Sequence, residues 1–128
     1  MVVGCSKAGP GGWDGKSKAM TEEEIKAEIE NINRRIVAKY RPEKIVLFGS
    51  AASARPGTAK DIDLCVIKEN FADKSAEFVK IRKILGATLM PLDILIFSGS
   101  EYDRRKNIWG TVQYEIDKKG KVLYERGD

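Results

Sequence analysis

Histidine is absent from this chain. That excludes Ser/His/Asp and Cys/His catalysis and every metal site built on imidazole, so any cation would have to be held by oxygen. Cysteine is scarce: Cys5 and Cys65 are the only two. They allow at most one long-range bridge, which is no disulfide framework and points to a reducing cytoplasm. Long apolar runs are missing as well. Nothing approaches the ~18 consecutive apolar residues of a membrane span, so no membrane partner is expected. Met1-Val2-Val3-Gly4-Cys5 has the shape of a lipoprotein cleavage box but lacks the basic segment and apolar stretch that must precede it.

What is present is the composition of one folded unit. The 128 residues match a single domain of roughly 100 to 150 residues, and 42% hydrophobic with 33% charged suits a globular chain rather than a disordered one. The net charge of +4 invites a nucleic-acid reading until the charges are located. Lys7, Lys16 and Lys18 against Asp14 place half of the excess in the first twenty residues, and the rest is nearly balanced. Arg104-Arg105-Lys106 and Lys118-Lys119-Lys121 are interleaved with Asp103, Glu115 and Asp117, the pattern of solvated helix faces. Nucleic acid is therefore not favoured as a partner.

Residues 1–20 hold five of the twelve glycines and read as a flexible tail or leader, with Met20 as a second candidate start. Gly15-Lys16-Ser17 imitates the end of a phosphate-binding loop, but Pro10 stands where its first glycine belongs. Residues 21–128 form the single domain. Thr21 and Glu24 make a capping box, and Ile25, Ile29, Ile32, Ile36, Val37 and Tyr40 fall at helical spacing until Pro42 ends the run. Lys44–Phe48 and Ile62–Ile67 read as strands. Residues 72–85 read as a helix with Phe78, Ile81, Ile84 and Leu85 inward and Gly86 as C-cap. Leu92–Phe97 is a third strand. A third helix is expected from a Ser100 cap to Gly120, using Trp109, Val112 and Ile116, followed by a short strand at Lys121–Glu125. Tyr102, Trp109 and Tyr114 are spaced like packing residues, and Cys65 reads as a small buried side chain. The order implies an α/β fold of the α+β type: one mixed β-sheet flanked by helices.

Three carboxylates sit where a core would not ask for them. Asp61 and Asp63 are two apart at the head of a strand, and strand side chains alternate, so both project from one face. Asp93 interrupts the apolar run Leu92–Phe97, where a carboxylate is costly unless solvated, paired or bound to a cation. If the two strands are neighbours, the three converge into a hard-oxygen site suited to Mg²⁺, or to Mn²⁺. Gly49-Ser50, at the end of the preceding strand and eleven residues before Asp61, supplies a close backbone approach and hydrogen-bond donors for phosphate. Each element alone has a bland reading: a turn, a strand end, a salt bridge. Their combination and order point to phosphoryl-type chemistry on a metal-bound nucleotide.

The stretch Val46-Leu47-Phe48-Gly49-Ser50, then Asp61-Ile62-Asp63-Leu64, then Leu92-Asp93-Ile94, resembles the signature of the DNA polymerase beta-like nucleotidyltransferase superfamily. The brevity of the chain is similar to that of the minimal nucleotidyltransferases often paired with HEPN-domain proteins in toxin-antitoxin modules. The resemblance implies that Asp61, Asp63 and Asp93 are catalytic and ligate the metal, that Gly49 and Ser50 hold phosphates, and that Asp93 accepts a proton from the acceptor. The implied reaction is attack of a hydroxyl on the α-phosphorus of ATP or another nucleoside triphosphate, AMP transferred and pyrophosphate leaving, with a HEPN toxin as acceptor. The chain departs from the pattern Gly-Ser-x-Ala-(Arg/Lys)-Gly at Ser53 and Ala54, with Arg55 as the candidate replacement cation, and has Lys60 where a serine often precedes the first Asp. That departure motivates an alternative: a catalytically weak antitoxin acting by complex formation with the HEPN protein. A homo-oligomer is compatible with either.

Overall fold

The computed structural model describes residues 21–52 and 61–126. The tail and the segment carrying Ser53, Ala54, Arg55 and Lys60 lie outside the described residues. The chain opens with α1 (Glu22–Tyr40), then β1 (Lys44–Phe48), a 3-10 turn at Gly49–Ala52, β2 (Ile62–Lys68), α2 (Lys74–Leu85), β3 (Leu92–Ser98), α3 (Gly99–Arg105), α4 (Val112–Lys119) and β4 (Lys121–Glu125). The strands form one sheet in the order β3-β2-β1-β4. β1 pairs antiparallel with β2 and β4, whereas β2 and β3 are parallel and joined through α2. This is the mixed sheet expected from the sequence. No helix among the described residues is long and apolar enough to cross a membrane.

Local chemistry explains the first helix. The Thr21 side chain accepts from the Glu24 amide while Glu24 reaches back to the Thr21 amide, so two otherwise orphaned N–H groups are satisfied. Ile25, Ile29, Ile32 and Ile36 then bury one face against the sheet, each worth roughly 1.5 to 3 kcal/mol of apolar burial. Strand alternation divides the core in two. Ile45, Leu47, Ile62, Leu64, Val66, Leu92, Ile94 and Ile96 face α1 and α2, and Val46, Cys65, Ile67 and Phe97 face Tyr102 of α3 and Ile116 of α4. Cys65 is a buried free thiol, its pKa pushed up to about 12 by that burial.

Two expectations need correction. Residues 99–120 are two helices, not one. Ser98 rather than Ser100 caps α3, Thr111 caps α4, and the intervening turn holds Gly110 at φ 92°. Trp109 sits on that turn, 82% exposed, and Val112 is exposed too, so neither packs inward. In α2, which starts at Lys74 behind an Asp73 cap, Phe78 is exposed. The inward position of that turn is taken by Glu77, buried because the Tyr40 hydroxyl and the Lys80 ammonium bond to it. Donors at the site made a carboxylate cheaper to bury there than the periodicity suggested.

Candidate active site

Parallel pairing of β2 and β3 puts Asp63 directly beside Asp93 in register. Both lie on the sheet face that carries Cys65, Ile67 and Phe97 further along the strands. Asp61, one residue before β2, completes the group: one oxygen from each of Asp61, Asp63 and Asp93 lies within 4.8 Å of the others. Among the described residues this is the one such gathering of three acidic or thiol side chains. The convergence that the sequence made conditional on strand adjacency is thus present, and none of the three carboxylates is ion-paired with a described lysine or arginine.

The electrostatic consequence falls on Asp63. Its pKa is raised, first by burial and then by the negative charges of Asp61 and Asp93. A divalent cation among these oxygens would remove both the repulsion and the desolvation cost. With three carboxylate oxygens and neither imidazole nor thiolate, the donor set fits a hard cation such as Mg²⁺ or Mn²⁺.

Gly49 is positioned by the same strands. It follows Phe48, which pairs with Asp63, and its φ of 75° is one that a side chain rarely adopts. A methyl group added at Gly49 would collide with the Asp63 carboxylate. Glycine is therefore required twice over, once by the backbone turn and once by the acidic group beneath it. Ser50 follows, exposed, in the 3-10 turn, so the Gly-Ser step and the acidic cluster are neighbours. The contact between Gly49 and Asp63 was not foreseeable from either motif separately, because it depends on the β1/β2 register. Arg55 lies outside the described residues.

Comparison with known proteins accords with this geometry. A crystal structure of a protein from Sulfolobus solfataricus described as a nucleotidyltransferase shares the fold, with a TM-score of 0.58 over 88% of this chain and 92% of that one, at 16% identity. Comparison with curated proteins gave no match. The sequence profile of the family "Polymerase beta, Nucleotidyltransferase" matches residues 30–128, which span the Gly-Ser step and all three aspartates. With that match over most of its length, the chain belongs to the polymerase beta nucleotidyltransferase family.

Proposed function

We propose that the protein is a Mg²⁺-dependent nucleotidyltransferase that transfers a nucleoside monophosphate, AMP from ATP, to a hydroxyl acceptor on a HEPN-domain partner. The observation that carries this reading is the convergence of the Asp61, Asp63 and Asp93 oxygens within 4.8 Å, directly beside Gly49. Asp61, Asp63 and Asp93 would hold the divalent cation. When bound, the cation supplies charge neutralisation for the triphosphate and its leaving pyrophosphate. The Gly49 backbone and the Ser50 hydroxyl orient the phosphates. Asp93, the most exposed of the three carboxylates, would take the proton of the acceptor hydroxyl as its oxygen attacks the α-phosphorus.

The test is incubation of the full chain and a HEPN-domain partner with α-labelled nucleoside triphosphates and Mg²⁺. Transfer of label from ATP in preference to the other nucleotides, abolished by Asp63→Asn, supports the reading. Absence of nucleotide binding and labelling, or undiminished labelling by Asp63→Asn, refutes it. The altered loop at Ser53 and Ala54 supports the second reading, inhibition of the partner by binding alone; that reading requires inhibition to persist in an Asp61→Asn/Asp63→Asn double variant.

A further inference from the structure

The two edges of the sheet are treated differently. β4, at one edge, is five residues long, begins with Lys121, ends with Glu125, and meets β1 across a register shift. Charge, brevity and a bulge are the usual protections of an edge strand. β3, at the other edge, runs for seven residues with no proline, no register shift against β2, and an uncharged stretch from Ile94 to Phe97. Beside it lies an apolar groove of about 380 Å³ lined by Phe78 and Val79 of α2 and by Ile94 to Phe97. Both α2 residues are exposed, at 41% and 48%.

The hydrogen-bond pattern shows which groups of β3 are open. The Ile62 amide donates to the Pro91 carbonyl, and in a parallel ladder this phase turns the backbone groups of Asp93, Leu95 and Phe97 toward β2. Those of Leu92, Ile94 and Ile96 point away from the sheet. Arg82 donates to the Leu92 carbonyl at 3.2 Å and so closes one end of the edge. Ile94 and Ile96 remain, each offering one N–H and one C=O with no strand or side-chain partner among the described residues.

We infer that this edge is the seat of a second copy of the chain, with β3 pairing antiparallel to its own counterpart about a two-fold axis through Leu95. In that register Ile94 opposes Ile96 of the second copy and the reverse, so the four open groups on each strand are satisfied by four hydrogen bonds. Registers centred on Ile94 or Ile96 leave some of them unmatched or set them against the capped Leu92 carbonyl. Charge agrees with the same axis. Asp93 falls opposite Phe97 of the second copy, over whose ring the Lys74 ammonium lies at 4.7 Å while pairing with Glu101. Each copy thus presents, at one end of the strand, a carboxylate with no ion-pair partner among the described residues and, at the other, an ammonium shared with Glu101, and antiparallel pairing brings the two near each other twice. Phe78 and Val79 of the two copies cover the new junction on the α2 side. Lys74 of the second copy then stands at the mouth of the acidic cluster, a cation for the nucleotide phosphates. That consequence rests on the function proposed above, whereas the pairing does not.

The test reads association without nucleotide. Sedimentation equilibrium of the full chain is expected to show a monomer-dimer equilibrium, and Phe78→Lys/Val79→Lys, both at exposed positions, is expected to weaken it at least tenfold with an unchanged circular dichroism spectrum. On a Cys5→Ser background, Leu95→Cys is expected to form an intermolecular disulfide under mild oxidation, because residues on the axis in a non-hydrogen-bonded pair lie about 4.5 Å apart at Cα. Trp109→Cys, highly exposed on the α3–α4 turn away from β3, is the control and is expected to associate like wild type without forming the disulfide. A wild type that sediments as a monomer at every concentration overturns the inference, whether or not it associates with another protein. A double variant that dimerises like wild type, or a Trp109→Cys chain that cross-links as readily as Leu95→Cys, overturns it as well.

Discussion

Two carboxylates of this molecule, the buried Glu77 and the partly buried Asp63, are treated in opposite ways. Glu77 is buried between α1 and α2, where the Tyr40 hydroxyl donates to one oxygen and the Lys80 ammonium binds the other at 3.2 Å. Lys68, which lies 4.4 Å over the Tyr40 ring and donates to the Tyr40 carbonyl, adds a second positive charge. The Tyr40 bond, reinforced by the two ammonium groups, holds the Glu77 pKa below the ordinary carboxylate range against the opposing effect of burial. Asp63 has Asp61 and Asp93 for neighbours, and its pKa is raised. A carboxylate kept for structure is given donors by the fold. One whose neighbours are also carboxylates has been left in electrostatic debt to something outside the chain, and a divalent cation is the group that would settle it.

The largest effect expected from breaking this contrast is on chemistry. Asp63→Asn removes one of the three carboxylates proposed to hold the cation and with it several kcal/mol of charge stabilisation, so nucleotidyl transfer should fall about a thousandfold, measured as initial rates of label incorporation. Its thermal stability should not fall, since the mutation also removes a repelling charge. Glu77→Ala should do the reverse. It leaves the Tyr40 hydroxyl without its acceptor and costs about 2 to 3 kcal/mol, a fall in Tm of about 10 to 20 °C for a domain of this size. Transfer measured well below the transition should keep its wild-type rate. If Glu77→Ala abolishes transfer in a folded protein, or Asp63→Asn unfolds it, the division between the two carboxylates is wrong.

Two glycines sharpen the comparison one step down. Gly49 and Gly86 both have positive φ, so alanine should cost each about 1 kcal/mol of backbone strain. At Gly86 an added methyl meets nothing within 4 Å, and at Gly49 it meets the Asp63 carboxylate. Gly86→Ala should therefore lower Tm by a few degrees and leave Mg²⁺-dependent stabilisation intact. Gly49→Ala should lower it further and abolish that stabilisation, which differential scanning fluorimetry with and without Mg²⁺ would show.

Much of this was legible in the sequence, and what was not has identifiable causes. The capping box at Thr21 and Glu24, the strand Lys44–Phe48 and the Gly86 C-cap are local features, written in neighbouring residues, and the structure has each of them. The three aspartates were visible as residues out of place, but their meeting required β2 and β3 to be parallel neighbours, which no local pattern encodes. The single helix expected over 100–119 failed because Trp109, Val112 and Ile116 fall at helical spacing across a turn that Gly110 and the Thr111 cap create. Periodicity outvoted two explicit stop and start signals. Phe78 was misplaced for the opposite reason: α2 turns Glu77 inward, and a glutamate is read as solvated unless its donors, thirty-seven residues away at Tyr40 in one case, are already known.

The smallest predicted effect is the most direct probe of the contrast, because pH acts on the two carboxylates with opposite sign. Glu77 has a folded pKa below its unfolded value of about 4.5, so its contribution to stability is present above that value and is lost as pH falls through the folded one. Asp63 has a folded pKa above its unfolded value of about 3.8. Between those two values the folded state binds more protons than the unfolded, so without a divalent cation stability declines as pH rises through the window, and the penalty is complete above it. Asp63 and Asp93 are direct cross-strand neighbours, and such like-charge pairs cost about 0.2 to 1 kcal/mol. In chelator-treated protein, Asp63→Asn should therefore melt a few degrees above wild type at neutral pH. The advantage should shrink as pH is lowered through the window, where wild-type Asp63 takes up its own proton. Added Mg²⁺ should reverse the order at neutral pH, because it stabilises only the chain that retains its ligand. An advantage of Asp63→Asn that is independent of both pH and Mg²⁺ would mean that the acidic cluster is ordinary solvated surface, and that the difference between Asp63 and Glu77 has no bearing on cation binding.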